Sequence, residues 1–282
     1  MKNKWILGFA FQACISSQIF AAPQAGKYFD RAIFVIFENT NYLSAINQPF
    51  FKRLADNGAH FSNFMSITHP SQGNYVALSS GALNGVTGDS EYNLDADNIV
   101  DLLEAKGLKW KIYAEGYPGN CFTGTSSGNY ARKHNPFISF LNIQRDPKRC
   151  ANIVSADQFD RDALNNSLPE YVFYIPDKRN DGHDTGVAFA DNWYAKRFLP
   201  YLNDKKFMDN TVLISTFDES GFSIRNQIYT SIVGPNVQSG VIGDAFNLYS
   251  LLTLIEDNWN LGNLGKQDVT ANPIQNIWKT AH

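Results

Sequence analysis

The chain has 282 residues, 44% apolar, 14% aromatic and 18% charged, with a formal charge of −3 from 24 basic and 27 acidic side chains. That much apolar surface excludes a disordered or collagen-like chain, and the weak acidic balance excludes a protein that gathers nucleic acid or an anionic membrane by its field alone. With five histidines in the whole chain, a metal site is expected to lean on oxygen ligands.

The N-terminus, Met1-Lys2-Asn3-Lys4 followed by Trp5 to Phe11, has the basic head and short apolar stretch of a secretory signal. Cleavage is expected after Ala21, which leaves a single domain over 22–282. Gln12, Ser16, Ser17 and Gln18 break the apolar stretch, so it is too short to span a bilayer. Export to the periplasm or the medium is therefore expected, without stable membrane insertion. Loss of the leader removes Cys14 and leaves Cys121 and Cys150, an even pair that suits one disulfide outside the cytoplasm.

Arg31 to Phe37 is a continuous apolar run, as in a strand covered on both faces of a parallel sheet. Pro49 to Asn57 predicts a helix with Pro49 in its first turn and Gly58 at its end. His60 to Ile67 alternates weakly and predicts a second strand, and Gly73 to Ser80 a helix stopped by Gly81. Asn98 to Lys106 predicts a helix capped by Asp97 and ended by Gly107, followed by a strand from Lys109 to Ala114. Residues 115–165, rich in Gly, Asn, Ser and Pro, are expected to leave the sheet as an excursion tied by the two cysteines. Tyr171 to Ile175, Thr211 to Phe217 and Ile228 to Val233 predict strands, with helices at 187–203 and 249–259. Strand and helix alternate throughout, which argues for a three-layer α/β/α sandwich with a mainly parallel central sheet.

In such folds ligands bind at the carboxyl ends of the strands. The first strand ends in Glu38-Asn39 and the later apolar strand in Asp218-Glu219. Three carboxylates and an amide at one edge repel one another unless a hard divalent cation sits among them. The pairs also fit ordinary polar strand ends when taken one at a time. His69-Pro70-Ser71-Gln72-Gly73-Asn74-Tyr75 places Ser71 near a helix N-terminus, where free N–H groups favour an anion and a cation can activate the hydroxyl. Asn180-Asp181-Gly182-His183-Asp184-Thr185 fits a turn that holds a metal, orients a phosphoryl oxygen or protonates a leaving group, or alternatively an Asx turn and helix cap. Lys133-His134-Asn135-Pro136-Phe137 brings two possible cations together. Gly124-Thr125-Ser126-Ser127-Gly128 matches the serine-hydrolase elbow, but it lacks the strand before and the helix after that the elbow needs.

Taken in order, these segments, with Tyr249-Ser250-Leu251-Leu252-Thr253-Leu254-Ile255-Glu256, resemble the phosphoesterase family of the alkaline phosphatase superfamily. That family contains bacterial phospholipases C and bacterial and fungal acid phosphatases. The resemblance implies an alkaline-phosphatase-like fold and a phosphoric-ester hydrolase of the acid phosphatase branch. It implies a divalent ion (Mg, Mn, Ca or Zn) held by Glu38, Asn39, Ser71, Asp218 and Glu219, with Ser71 as nucleophile. His183, Asp184 and His134 would line the phosphate site. A phosphodiesterase or phospholipase C with the same site, and a non-catalytic exported phosphoester-binding protein, are the alternatives. Two positions depart from the family pattern: Leu248 stands where many relatives have histidine, and Asp177 where the phosphatase relatives have asparagine.

Overall fold

The computed structural model describes residues 23–221 and 223–279; the expected leader lies outside the described residues. Eight strands form the main sheet: β1 (Arg31–Phe37), β2 (Ala59–Phe61), β3 (Trp110–Ala114), β4 (Ile153–Ser155), β5 (Tyr171–Ile175), β6 (Thr211–Phe217), β7 (Thr230–Val233) and β8 (Gly240–Ile242). Their order across the sheet is β8-β2-β7-β6-β1-β5-β3-β4. All run in one direction except β7, which is antiparallel to β6 and β2. β1 and β6, the two most apolar strands, lie side by side at the centre and are buried along their full length.

Side-chain alternation splits the core into two layers. Phe37, Phe217 and Tyr174 face one side and meet Phe51, Tyr194, Phe159 and Phe198. These partners come from helices α1 (Pro49–Asn57), α4 (Asp157–Leu164) and α5 (Val187–Leu202). Phe34, Phe173 and Tyr171 face the other side and meet Phe137. Helix α2 (Ser71–Ser80) packs against α6 (Leu248–Trp259), and a shorter helix, α3 (Ile99–Ala105), precedes β3. The expected layered architecture with a mainly parallel sheet is what the chain adopts.

Several local expectations change. Gly58 is extended, not left-handed; a Cβ there would lie 2.3 Å from the carbonyl oxygen of Ile232, so close approach of β7 demands glycine. Gly81 does end α2 in the left-handed region, at φ 72°. The cap of α3 is Asn98 rather than Asp97, closed reciprocally by Asp101. The strand expected from His60 to Ile67 breaks into β2 and a two-residue strand, Phe64–Met65. Residues 115–165 leave the sheet only in part, because Ile153–Ser155 returns as its edge strand β4 and pairs with β3. Cys121 and Cys150 are bonded, with Cα atoms 5.6 Å apart. Ser126 is exposed on a two-residue hairpin strand with no following helix, so the elbow reading fails.

Candidate metal-assisted phosphoryl-transfer site

The register of the central strands builds the site. Phe37 lies opposite Phe217, so Glu38 and Asp218 leave the sheet at the same level. The Asp218 N–H donates to Phe37 O at 2.9 Å, and the Asn39 N–H donates to Asp218 Oδ1 at 3.0 Å. On the other flank of β1, the Glu38 N–H donates to Asp181 O at 3.0 Å. Asn39 sits at φ 46°, a left-handed turn that asparagine tolerates better than most residues.

Ser71 is the first residue of α2, and the loop before it is pinned from within the helix. Asn74 Oδ1 accepts from Ile67 and Thr68 N–H at 3.0 and 2.9 Å, and its Nδ2 donates to Thr68 O at 2.9 Å. This places Ser71 Oγ 3.0 Å from Glu38 Oε2 and 3.3 Å from Glu219 Oε1. Ser71, Glu38, Asp218 and Glu219 are all buried. A cavity of about 630 Å³ opens over Ser71, bordered by Asn39, His69, Lys133, His183 and Glu219.

Like charge dominates this cluster. Burial, then Glu38 and Glu219, push the Asp218 carboxyl well above the usual carboxylate range. Burial also raises Glu219; His69 lowers it and Glu38 raises it again. Asp218 Oδ2 is buried without a hydrogen-bond donor. An orphaned carboxylate oxygen, two further carboxylates and a hydroxyl form an all-oxygen donor set suited to a hard divalent ion. The residues therefore fit a cation, and Asn39 adds an amide at the same edge.

Behind Glu38 stands His134, with 1% of its surface exposed. Its Nε2 lies 3.2 Å from Glu38 Oε1 and its Nδ1 lies 3.0 Å from Asp181 Oδ2. Burial opposes charge on this ring, but the two carboxylates outweigh it and hold the imidazole's pKa above its ordinary value. Tyr75 stacks on His134 and donates to Glu38 Oε1 at 2.6 Å. Glu38, His134 and Asp181 also form a group of three buried ligand-type side chains.

The predicted residues thus divide. Glu38, Asn39, Ser71, Asp218 and Glu219 come together: Asn39, Ser71 and Glu219 border the cavity, while Glu38 and Asp218 lie buried beside them. His183 lines the cavity, with Nδ1 paired to Asp184 Oδ1 at 2.7 Å, which leaves Nε2 as its unengaged ring nitrogen among the described residues. Asp184 is exposed and stands one step behind it, near Lys178 at 3.7 Å. His134 supports Glu38 instead of bordering the cavity. Asp177 is committed to a turn, accepting from Arg179 and Asn180 N–H at 3.0 Å each, and Leu248 is a buried core residue. Sequence reasoning passed over Asp181, Tyr75, His69 and Asp89. Asp181, Tyr75 and His69 lie within motifs already in view, but nothing local marks which member turns inward, and Asp89 lies in no motif at all.

The fold is alkaline-phosphatase-like. It superposes on a protein in the alkaline phosphatase superfamily from Vibrio parahaemolyticus with a TM-score of 0.61 at 12% identity, over 90% of this chain and 72% of that one. Murine ectonucleotide pyrophosphatase/phosphodiesterase 5 gives 0.56 at 11% identity, over 86% of this chain and 100% of that one. These likenesses concern the fold alone.

The chain belongs to the phosphoesterase family, whose model matches residues 20–262. It is 36% identical to the "Probable acid phosphatase" of Kluyveromyces lactis over 89% of this chain and 63% of that protein. It is 33% identical to the acid phosphatase of Aspergillus fumigatus over 89% of this chain and 59% of that protein. It is 32% identical to the phosphatidylinositol-3-phosphatase of Mycobacterium tuberculosis over 97% of this chain and 93% of that protein. The chain spans about three-fifths of the length of these two fungal relatives.

Proposed function

We propose that the protein is an exported, metal-dependent phosphoric-ester hydrolase that acts on phosphomonoesters through a phosphoserine on Ser71. The observation that carries this reading is the placement of Ser71 Oγ between Glu38 Oε2 and Glu219 Oε1, at a helix N-terminus that opens into a cavity. The relatives named acid phosphatase and phosphatidylinositol-3-phosphatase support the same class of ester. The bonded Cys121–Cys150 pair supports an oxidising compartment, and among the described residues no helix is long and apolar enough to cross a membrane.

A divalent ion among Glu38, Asn39, Asp218 and Glu219 would supply Lewis-acid stabilisation of charge and favour the ionised hydroxyl. The remaining steps belong to the chain. Ser71 Oγ attacks phosphorus in line and the P–O bond to the alcohol breaks. Backbone N–H groups in the first turn of α2 other than that of Gln72, which Asp89 accepts, stabilise the equatorial oxygens. His183, oriented by Asp184, protonates the departing alkoxide at Nε2. Water then attacks the phosphoserine, returning Ser71 and releasing phosphate. His134 and Tyr75 act at a distance from the reacting atoms by fixing the Glu38 carboxylate.

The test is turnover of p-nitrophenyl phosphate, bis-p-nitrophenyl phosphate and phosphatidylcholine by the chelated protein, with and without added divalent ions. Metal-restored hydrolysis centred on the monoester supports the reading. Preference for phosphatidylcholine would favour a phospholipase C, and tight phosphate binding without turnover a binding protein. Full activity after chelation would overturn the metal assignment.

A further inference from the structure

Lys133 is the one lysine or arginine among the described residues that line the cavity over Ser71. Its backbone is held on both sides by buried neighbours. Arg132 donates to Thr123 O at 2.6 Å, to Tyr92 O at 2.5 Å and to Asn93 Oδ1 at 3.0 Å, while His134 is locked beneath Glu38. The side chain is four-fifths buried, and its ammonium lies 2.8 Å from Asp89 Oδ2. The other oxygen of Asp89 accepts the N–H of Gln72 at 3.0 Å, the residue directly after Ser71. One carboxylate therefore ties the lysine to the first turn of the helix that carries the nucleophile. An ammonium has three donors. Asp89 engages one, and among the described residues no other hydrogen-bond acceptor is assigned to Nζ.

The substrate's charge is the quantity such a group can read. A phosphomonoester above its second ionisation, near pH ~6, carries a further negative oxygen where a diester carries its second ester group. Glu219 and Asp89 border the cavity, and Glu38 and Asp218 lie buried beside Ser71, so beyond the charge a bound cation answers, the extra negative oxygen calls for a positive group of the protein's own. Resting on the phosphoesterase reading above, we infer that Lys133, positioned by Asp89, binds the additional anionic oxygen of a monoester dianion and sets the preference for monoesters over diesters. Lysine suits the task as a compact point charge with freely rotating donors. The carboxylate of Asp89 holds it in place without substrate and shares it when substrate arrives.

The experiment compares wild type with Lys133→Met, Lys133→Arg and Asp89→Asn at about pH 7, in the same excess of divalent ion. The readouts are kcat/KM for p-nitrophenyl phosphate and for bis-p-nitrophenyl phosphate, and the Kd of orthophosphate by calorimetry. Lys133→Met is expected to lower monoester kcat/KM by about 10- to 100-fold, the range for one charge-assisted hydrogen bond, and to weaken orthophosphate by a similar factor. Diester kcat/KM is expected to change by no more than about threefold, because that substrate lacks the oxygen concerned. Lys133→Arg should recover most of the monoester rate and Asp89→Asn should lower the selectivity in part. An equal loss on both esters would mean a merely structural lysine and would overturn the inference, as would an unchanged ratio with unchanged orthophosphate binding. Wild-type protein that hydrolyses neither ester would bring down the phosphoesterase reading itself, whereas normal wild-type turnover with an unmoved ratio removes the Lys133 assignment alone.

Discussion

Glu38 and Asp218 emerge side by side from adjacent parallel strands, because Phe37 pairs with Phe217 one residue earlier. The main chain then binds them together, with Asn39 N–H on Asp218 Oδ1 at 3.0 Å. Two acids so placed repel in the absence of a cation, and the protein tolerates that repulsion for the site's sake. Asp218→Asn is therefore expected to stabilise the metal-free fold by about 1 kcal/mol, or a rise of about 2–4 °C in Tm, while lowering turnover by at least about 100-fold. Melting curves after chelation, beside rates with metal, check both halves.

Ser71 gives the opposite pattern. Its hydroxyl packs at the site's centre but carries little of the fold, so Ser71→Ala should leave Tm within a few degrees of wild type. On the proposed role, turnover should fall by about 10³-fold or more, as it does when a covalent nucleophile is removed. Steady-state rates on p-nitrophenyl phosphate decide this, and an unchanged rate would exclude Ser71 as nucleophile.

His134 is a support whose loss should be structural first. Removing the ring leaves Glu38 and Asp181 buried without their shared partner, at a cost of about 3–5 kcal/mol. Denaturant titration of His134→Ala, compared with His134→Gln, measures it. The glutamine variant should recover part of the loss by donating to one carboxylate.

The fold should be steadier in mild acid. Glu256, buried beside Asp268, is pushed up to about 9 by burial first and Asp268 second. The unfolded chain releases that proton near 4.5, so between the two values the folded state holds a proton that the unfolded state has lost. Stability from this group is complete below about 4.5 and declines as pH climbs toward 9. His134, raised above 6.5, acts in the same direction, with its contribution lost as pH passes its folded value. Thermal melts across this range should show Tm falling with pH, with a shallower slope in Glu256→Gln. Parallel slopes would exclude Glu256 as a source.

Reduction of Cys121–Cys150 should weaken the excursion that carries Lys133 and His134. The sequence separation of 29 residues corresponds to about 3.6 kcal/mol of chain entropy. Melting with and without reductant checks this figure.

The strands, most helices and the acidic doublets were legible in sequence because each is a local pattern. Arg31 to Phe37 and Thr211 to Phe217 are apolar on both faces, which suits central strands of a parallel sheet, and such strands end at the ligand edge. Family likeness added the roles expected of Ser71 and His183. Which neighbours turn inward was another matter. Asp181 and Asp184 sit in one turn, three residues apart, with no local sign that Asp181 would bury against His134 and Asp184 would face solvent. Tyr75 looked like any apolar helix residue until α2 lay against Glu38. Ile153–Ser155 was too short to announce itself as a strand before β3 offered an edge.

Taken alone, the amino-acid order determined the kind of fold and the chemical groups available at its edge, since hydrophobic period and strand-end residues are set within a few positions of one another. Tertiary packing decided how those groups are shared: which carboxylate meets the serine, which leans on the histidine, and which holds the lysine. Those distances depend on register and layer contacts between segments far apart in the chain, where a shift of one residue sends a side chain to the opposite face.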